Sequence, residues 1–92
     1  NCVIARETIF MTSDFHGIID LDTGLRCNNG SSIIISDHVW VGLGVVVLKG
    51  SKIGVDSIIG IRSVVNRNIP NNVIAAGIPA KVVKNNVSWG HI

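Results

Sequence analysis

Residues 35–70 read ISDHVW, VGLGVV, VLKGSK, IGVDSI, IGIRSV and VNRNIP, six consecutive blocks of six, each opening on Ile or Val. Gly stands second in three of them (Gly42, Gly54, Gly60), and Ser stands fifth in three successive ones (Ser51, Ser57, Ser63). A helix repeats every 3.6 residues and a strand every two, so neither generates a period of six. Short parallel strands joined by tight corners do: each strand sends a branched side chain inward, and the neighbouring Gly lets the chain turn. Three strands then close one coil of about eighteen residues, and coils stack about 4.8 Å apart through backbone bonds from one coil to the next. The expected core is a ladder of Ile35, Val41, Val47, Ile53, Ile59 and Val65.

Working outward, IARETI from Ile4 is an earlier hexad of the same kind, and Phe10 opens the next. The spacing predicts one all-β domain over residues 1–92, with an excursion loop at 17–28 and a closing strand and tail at 71–92. About three coils remain, close to the minimum for a stable solenoid. So short a prism exposes flat, Val-rich flanks, which self-association covers. No atypical capping segment precedes the first hexad, so the chain reads as a fragment of a longer protein that carries further coils.

Eight basic and six acidic residues leave a formal charge of +2, scattered along the chain and without an aromatic platform, which argues against a nucleic-acid partner. The apolar run IIISDHVWVGLGVVVL is interrupted by Asp37 and His38 and falls short of the roughly 18 uninterrupted apolar residues of a membrane span. Cys2 and Cys27 have no CxxC spacing, and reduced thiols in a cytoplasm are the expectation.

The repeat, the segment TSDFHGIIDLDTG (12–24) and the closing stretch NRNIPNNVIAAGIPAKVVK (66–84) occur in an order that resembles the hexapeptide-repeat acyltransferases, within them the sugar O-acetyltransferases of the maltose and galactoside type. The resemblance covers most of the chain from Cys2 to Lys84. It implies a left-handed parallel β-helix, a homotrimer about a threefold axis, acetyl-CoA as acyl donor, no metal, and a sugar or saccharide acceptor, as in surface polysaccharide synthesis.

His16 stands where the rhythm of Ile4 and Phe10 calls for a third aliphatic residue. Either the coil ends there and His16 opens a solvated loop, or the ring has a task; the resemblance makes it the general base. A sugar hydroxyl attacks a thioester only as its proton is removed, and imidazole, with an ordinary pKa of about 6.5, accepts that proton near neutral pH. Asp14, two residues earlier, shares a face with His16 if the segment is extended, and there it orients the ring, contacts the acceptor, or is a solvated corner carboxylate. Asp20 and Asp22 lie in a turn-rich stretch with Thr23 and Gly24, and Asp20 is the candidate for acceptor hydroxyls. The resemblance puts Trp40 near the active site at a subunit boundary, as an apolar wall for a sugar face or for the pantetheine arm of the donor; ordinary packing between coils is the competing reading. His38, fourth in its hexad, reads as a solvated corner residue rather than a second base.

Coenzyme A phosphates call for cations or free backbone N–H groups. Lys81 and Lys84 match basic positions of the family's closing motif, and Arg67 sits just before it, so these three are the phosphate candidates, with ordinary solvated charges as the competing reading; Gly77 and Pro79 shape the closing turn. Leu43 and Ile61 hold third places where the family has small residues lining the pantetheine groove. Bulky side chains there narrow the groove while their backbone N–H groups stay available. Competing readings are an N-acyltransferase acting on an amino sugar, a non-catalytic trimerisation module, and a β-helical carbonic anhydrase, whose zinc needs three His ligands where the body of this chain offers His16 and His38.

Overall fold

The computed structural model describes residues 2–13, 17–19, 21–26 and 30–90. Eleven strands follow one another without a helix among the described residues: β1 Val3–Ile4, β2 Ile9–Met11, β3 Ile34–Ile35, β4 Trp40–Val41, β5 Val46–Leu48, β6 Lys52–Ile53, β7 Ile58–Ile59, β8 Val64–Val65, β9 Asn68–Ile69, β10 Val73–Gly77 and β11 Ala80–Asn85. They form a left-handed parallel β-helix of three coils. Its first face carries β1, β4, β7, β10 and β11, its second β2, β5 and β8, and its third β3, β6 and β9.

The hexad rhythm becomes a stacking register. Val41 lies opposite Ile59, Val47 opposite Val65 and Ile35 opposite Ile53, each pair one coil apart. Ile4 lies opposite Val41 and Phe10 opposite Val47, so the first coil differs only by the excursion between Ser13 and Gly30. Within that excursion Ile19 and Arg26 form an antiparallel bridge. The expected ladder is present: Val41, Val47, Ile53, Ile59 and Val65 are buried, and Ile35 packs against them. Each fully buried aliphatic side chain of this kind contributes about 1.5–3 kcal/mol.

A second inward line runs through the fifth places, two residues ahead on the same side of each strand. Val39, Val45, Ser51, Ser57 and Ser63 are all buried. The serines are explained by a break in the period. Ile69, not residue 71, lies opposite Ile53, so VNRNIP does not complete a sixth regular hexad as its spacing predicts. The corner at Asn66 and Arg67 is tighter by two residues, and the backbone above it is displaced from the regular ladder. Buried hydroxyls bridge the displacement: Ser51 Oγ donates to Val65 O at 3.1 Å, and Ser57 Oγ donates to Pro70 O at 2.6 Å. Ser57 Oγ also accepts from Val73 N–H at 3.4 Å, and Ser63 Oγ accepts from Gly77 N–H at 3.1 Å.

Each regular corner turns through one left-handed residue in the fourth place: His38 (φ 55°), Gly44 (67°), Gly50 (75°), Asp56 (63°) and Arg62 (55°). Left-handed φ is uncommon outside Gly, Asn, Asp and His, so Arg62 is the costly member of this set. Gly42 answers a different need. A Cβ there would sit 2.8 Å from Ile59 O and 2.9 Å from Ile61 N of the coil above.

The segment expected as a closing strand is a hairpin. β10 continues the first face above β7 and β11 returns antiparallel to it, with a cis Ile78–Pro79 bond in the turn.

Two substitutions test this packing. Ser57→Ala leaves Pro70 C=O and Val73 N–H without their buried partner and should cost about 1–3 kcal/mol in urea unfolding; an unchanged midpoint would show that Ser57 does not bridge the displaced backbone. Gly42→Ala should cost a similar amount, about 1–3 kcal/mol, by forcing two coils apart, and Gly90→Ala, with open space around it, serves as the neutral control.

Candidate functional site

Because coils stack in register, residues at the same hexad place form columns along each corner. At the first corner, between the first and second faces, Leu43 and Gly44 lie beneath Ile61 and Arg62. Arg62 N–H donates to Leu43 O at 2.7 Å, and Gly44 N–H donates to Arg6 O at 3.1 Å. The N–H groups of Leu43 and Ile61 have no partner among the described residues. Their side chains stand out from the corner, 36% and 71% exposed. The Arg62 side chain lies across Gly44, its Cγ and Nη1 within 3.3 Å of the position a Cβ would take.

The hairpin turn sits over the same corner. Ala76, beside the turn, overlies Gly60, and Lys81 is opposite Ala76. Lys84 is opposite Ile74 towards the other end of β10, and the register shift between Ile74 and Ala75 gives the two lysines the same outward face. Both are exposed. Arg67 belongs to the second corner, between β8 and β9, where it is exposed and its Nε donates to Asn66 Oδ1 at 3.5 Å. Leu43, Ile61 and Lys81 therefore gather at one corner, while Arg67 stands at another.

The third corner is filled by side chains. Asn71 Oδ1 accepts from Val55 N–H at 2.8 Å. His38, Asp56 and Asn72 stack above one another: His38 Nδ1 is 2.7 Å from Asp56 Oδ1, and Asn72 Nδ2 donates to Asp56 Oδ2 at 3.3 Å. His38 is therefore not the solvated residue its hexad place suggests. The carboxylate one coil above engages its ring, and the indole of Trp89 stacks on it, centroids 3.9 Å apart and planes 7° from parallel. Trp89 Nε1 also donates to His38 O at 2.7 Å. No repeat announces Trp89; a lone aromatic in a polar tail finds its partner 51 residues away in the chain.

Trp40 projects from the first face, 44% exposed, with Val3 and Ile58 opposite it on the adjoining coils. Its indole lies 6.1 Å from that of Trp89, inclined by 54°. Val3, Trp40, Trp89 and Gly90 line a small cleft of about 160 Å³. Two more open clefts, of about 500 and 440 Å³, lie where the excursion leaves and rejoins the first coil, lined by Phe10, Thr12, Ser32, Ile33 and Ile35 and by Thr12, Ser13, Gly30, Ser31 and Ser32. His16, Asp14 and Asp20, the candidates for the base and its acceptor contacts, lie outside the described residues, as does Cys27.

No family model matches the chain. It is 44% identical over 97% of its length to the polysialic acid O-acetyltransferase of Escherichia coli O1:K1, of which it spans 29%. Among solved structures it superimposes on the polysialic-acid-specific acetyltransferase NeuO with a TM-score of 0.97 and 43% identity, covering 99% of this chain and 42% of that one. A galactoside acetyltransferase in complex with coenzyme A matches with a TM-score of 0.78 and 30% identity, over 92% of this chain and 42% of that one. The chain thus spans less than half the length of each of these relatives.

Proposed function

The chain belongs to the hexapeptide-repeat acyltransferases, on their sugar O-acetyltransferase branch, and on that premise we propose that it is the β-helical part of an enzyme transferring an acetyl group from acetyl-CoA to a saccharide hydroxyl. The structural observation that carries the reading is the first corner. Two N–H groups without partners among the described residues, those of Leu43 and Ile61, stand one coil apart, and exposed Lys81 lies above them. That arrangement suits a long donor with carbonyl oxygens along its pantetheine arm and phosphates at its end. Lys84, on the same outward face, adds a second cation. Arg67 serves the phosphates only if the donor reaches round to the second corner.

The donor supplies a thioester carbonyl. The chain's own share is to remove the proton of the attacking hydroxyl, a task for His16, and to hold the donor along the corner. The hydroxyl oxygen forms the new ester as the bond to sulfur breaks, and the proton ends on the departing thiol. Asp14 is the candidate for orienting the His16 ring, and Asp20 for an acceptor hydroxyl.

The acceptor we favour is a polymer of sialic acid. Identity to enzymes named for that polymer is 44% over 97% of the chain and 43% over 99% of it, against 46% over only 56% of it for a galactoside O-acetyltransferase of Escherichia coli and 30% over 92% for the galactoside enzyme in complex with coenzyme A. The assembly we favour is a trimer. Outward residues of the first face are Val3, Trp40, Ile58 and Ile74, and those of the second are Ile9, Val46 and Val64, whereas the third shows Ile34, Lys52 and Asn68. Apolar outward surface on two of the three faces suits self-association. No helix among the described residues is long and apolar enough to cross a membrane, and the cytoplasm, where acetyl-CoA is made, is the proposed location.

Two experiments test this reading. Acetyl-CoA should raise the melting temperature of the chain saturably, with stabilisation approaching about 2.7 kcal/mol at a hundredfold excess over the dissociation constant. The rise should shrink in a Lys81→Ala, Lys84→Ala double variant. No rise would favour a trimerisation module whose groove is blocked by Leu43 and Ile61. His16→Ala, in the protein that carries this chain, should lower turnover by about 10²–10⁴-fold with an unchanged melting temperature; full activity would move the base elsewhere.

A further inference from the structure

Arg62 takes no part in the chemistry above, although it stands at the first corner and its backbone is held at φ 55°. Six described residues other than Gly have left-handed backbone, and four of them are His, Asp or Asn, which tolerate it. The other two, Glu7 and Arg62, share one column of this corner with Gly44 between them, since Ile4 lies opposite Val41 and Val41 opposite Ile59. Gly44 itself, at φ 67°, fills the same hexad place without that cost. An Arg on strained backbone, where Gly would fit better, calls for a task of its side chain.

That side chain is exposed, and its guanidinium makes no hydrogen bond or ion pair among the described residues, Glu7 included. It is nevertheless directed. Cγ and Nη1 both lie 3.3 Å, and Cζ 3.7 Å, from where a Cβ on Gly44 would stand, so the chain folds back over the coil below, where the missing side chain of residue 44 makes room for it. The guanidinium thereby comes to the amides on which the donor site rests: Ile61 precedes Arg62, and Leu43 precedes Gly44. Two backbone N–H groups one coil apart can serve carbonyl oxygens, but they carry no net charge. Lys81 supplies charge above them, opposite Ala76 in the hairpin. Arg62 supplies it a coil lower, with a planar set of donors that makes two parallel bonds to a phosphate or one to a carbonyl oxygen.

We propose that Arg62 is a further donor-binding residue, its guanidinium holding an oxygen of coenzyme A, on a phosphate or on the pantetheine arm, at the level of Gly44. The proposal rests on the reading of the first corner as the donor site. It adds to that site a cation from the coils themselves, and it accounts for the strained backbone at residue 62 by the contact its side chain makes. Affinity and stability are then opposed at this one position.

The test measures both in the protein that carries this chain. Arg62→Met keeps the stem over Gly44 and removes the charge, and it should raise the dissociation constant for coenzyme A about tenfold. Arg62→Lys, which retains charge without the planar fork, should recover part of the loss. Arg62→Gly should lose affinity as Met does while the urea midpoint rises, because Gly takes left-handed backbone freely; a fall in both would make Arg62 a packing residue and overturn the proposal. Pantetheine, which lacks the phosphates, identifies the oxygen: an equal loss for pantetheine assigns the arm, and a loss confined to coenzyme A assigns a phosphate. Glu7→Gln should leave affinity unchanged. If it reproduces the loss instead, Arg62 serves an attraction to Glu7 across Gly44, and the proposal falls. Affinity unmoved in Arg62→Met overturns it too, with the donor site intact. A wild-type protein indifferent to coenzyme A overturns the donor site itself and this proposal with it, so the two failures are told apart.

Discussion

Everything in this molecule depends on the backbone bonds that each strand makes with the strands one coil below and above. Bonds such as Trp40 N–H to Ser57 O and Val46 N–H to Ser63 O, at 3.0 and 2.9 Å, hold equivalent residues at nearly the same place in successive coils. Residues at one hexad place therefore become neighbours whatever their chemistry. The inward columns must be apolar or hydrogen-bonded, the fourth-place column must accept a left-handed backbone, and the second place must be small where the next coil closes over it. Sequence freedom is left to the outward sixth place and to the third place at the corners. Trp40, Leu43 and Ile61 occupy those places.

The same constraint decides how the stack ends. A regular coil would offer another full set of strand edges and invite continued pairing. Here the corner at Asn66 and Arg67 shortens, the phase is lost, and β11 turns back to pair with β10. The cost is a set of displaced backbone groups near the core, and the fifth-place column changes from Val39 and Val45 to Ser51, Ser57 and Ser63 along the later coils. Hydroxyls are small enough to replace valine there and polar enough to bond carbonyl and amide groups that a regular ladder would have paired. No described side-chain polar atom is left buried without a partner.

The parts of the fold that repeat are legible in the sequence for this reason. Ile53 and Ile59 announce their neighbours because the register carries each to the same height one coil on. The corner shortening is hidden, since Val65 and Pro70 bound a block that looks regular and only the pairing of Ile69 with Ile53 betrays it. The site is legible where it coincides with the repeat: Leu43 and Ile61 share a corner because they share a hexad place. Arg67 cannot be assigned that way, since it follows the change of phase. His38 departs from the reading its hexad place suggests because its partners are another coil's carboxylate and an aromatic from the tail, and a hexad place says nothing about either. His16 and Asp14 rest on the family resemblance, because in that stretch the period gives way to the excursion.

A threefold prism has three corners that would be equivalent if the hexads were identical, so the differences between them carry the function. At the third corner, Asn71 takes the Val55 amide, Asp56 takes His38, and the tail covers what remains. At the first corner the third-place amides of Leu43 and Ile61 are left without partners among the described residues, and the covering element is the hairpin turn with its lysines. An amide withheld from solvent and from partners would be destabilising, but an amide at an exposed corner is hydrated at little cost and can exchange water for a ligand carbonyl. The fold thus closes one corner to fix its own tail and leaves at another the free amides on which the proposed donor site rests. Both the aromatic cleft and the free amides border the first face, so the fixed tail and the open corner are brought to opposite edges of one surface.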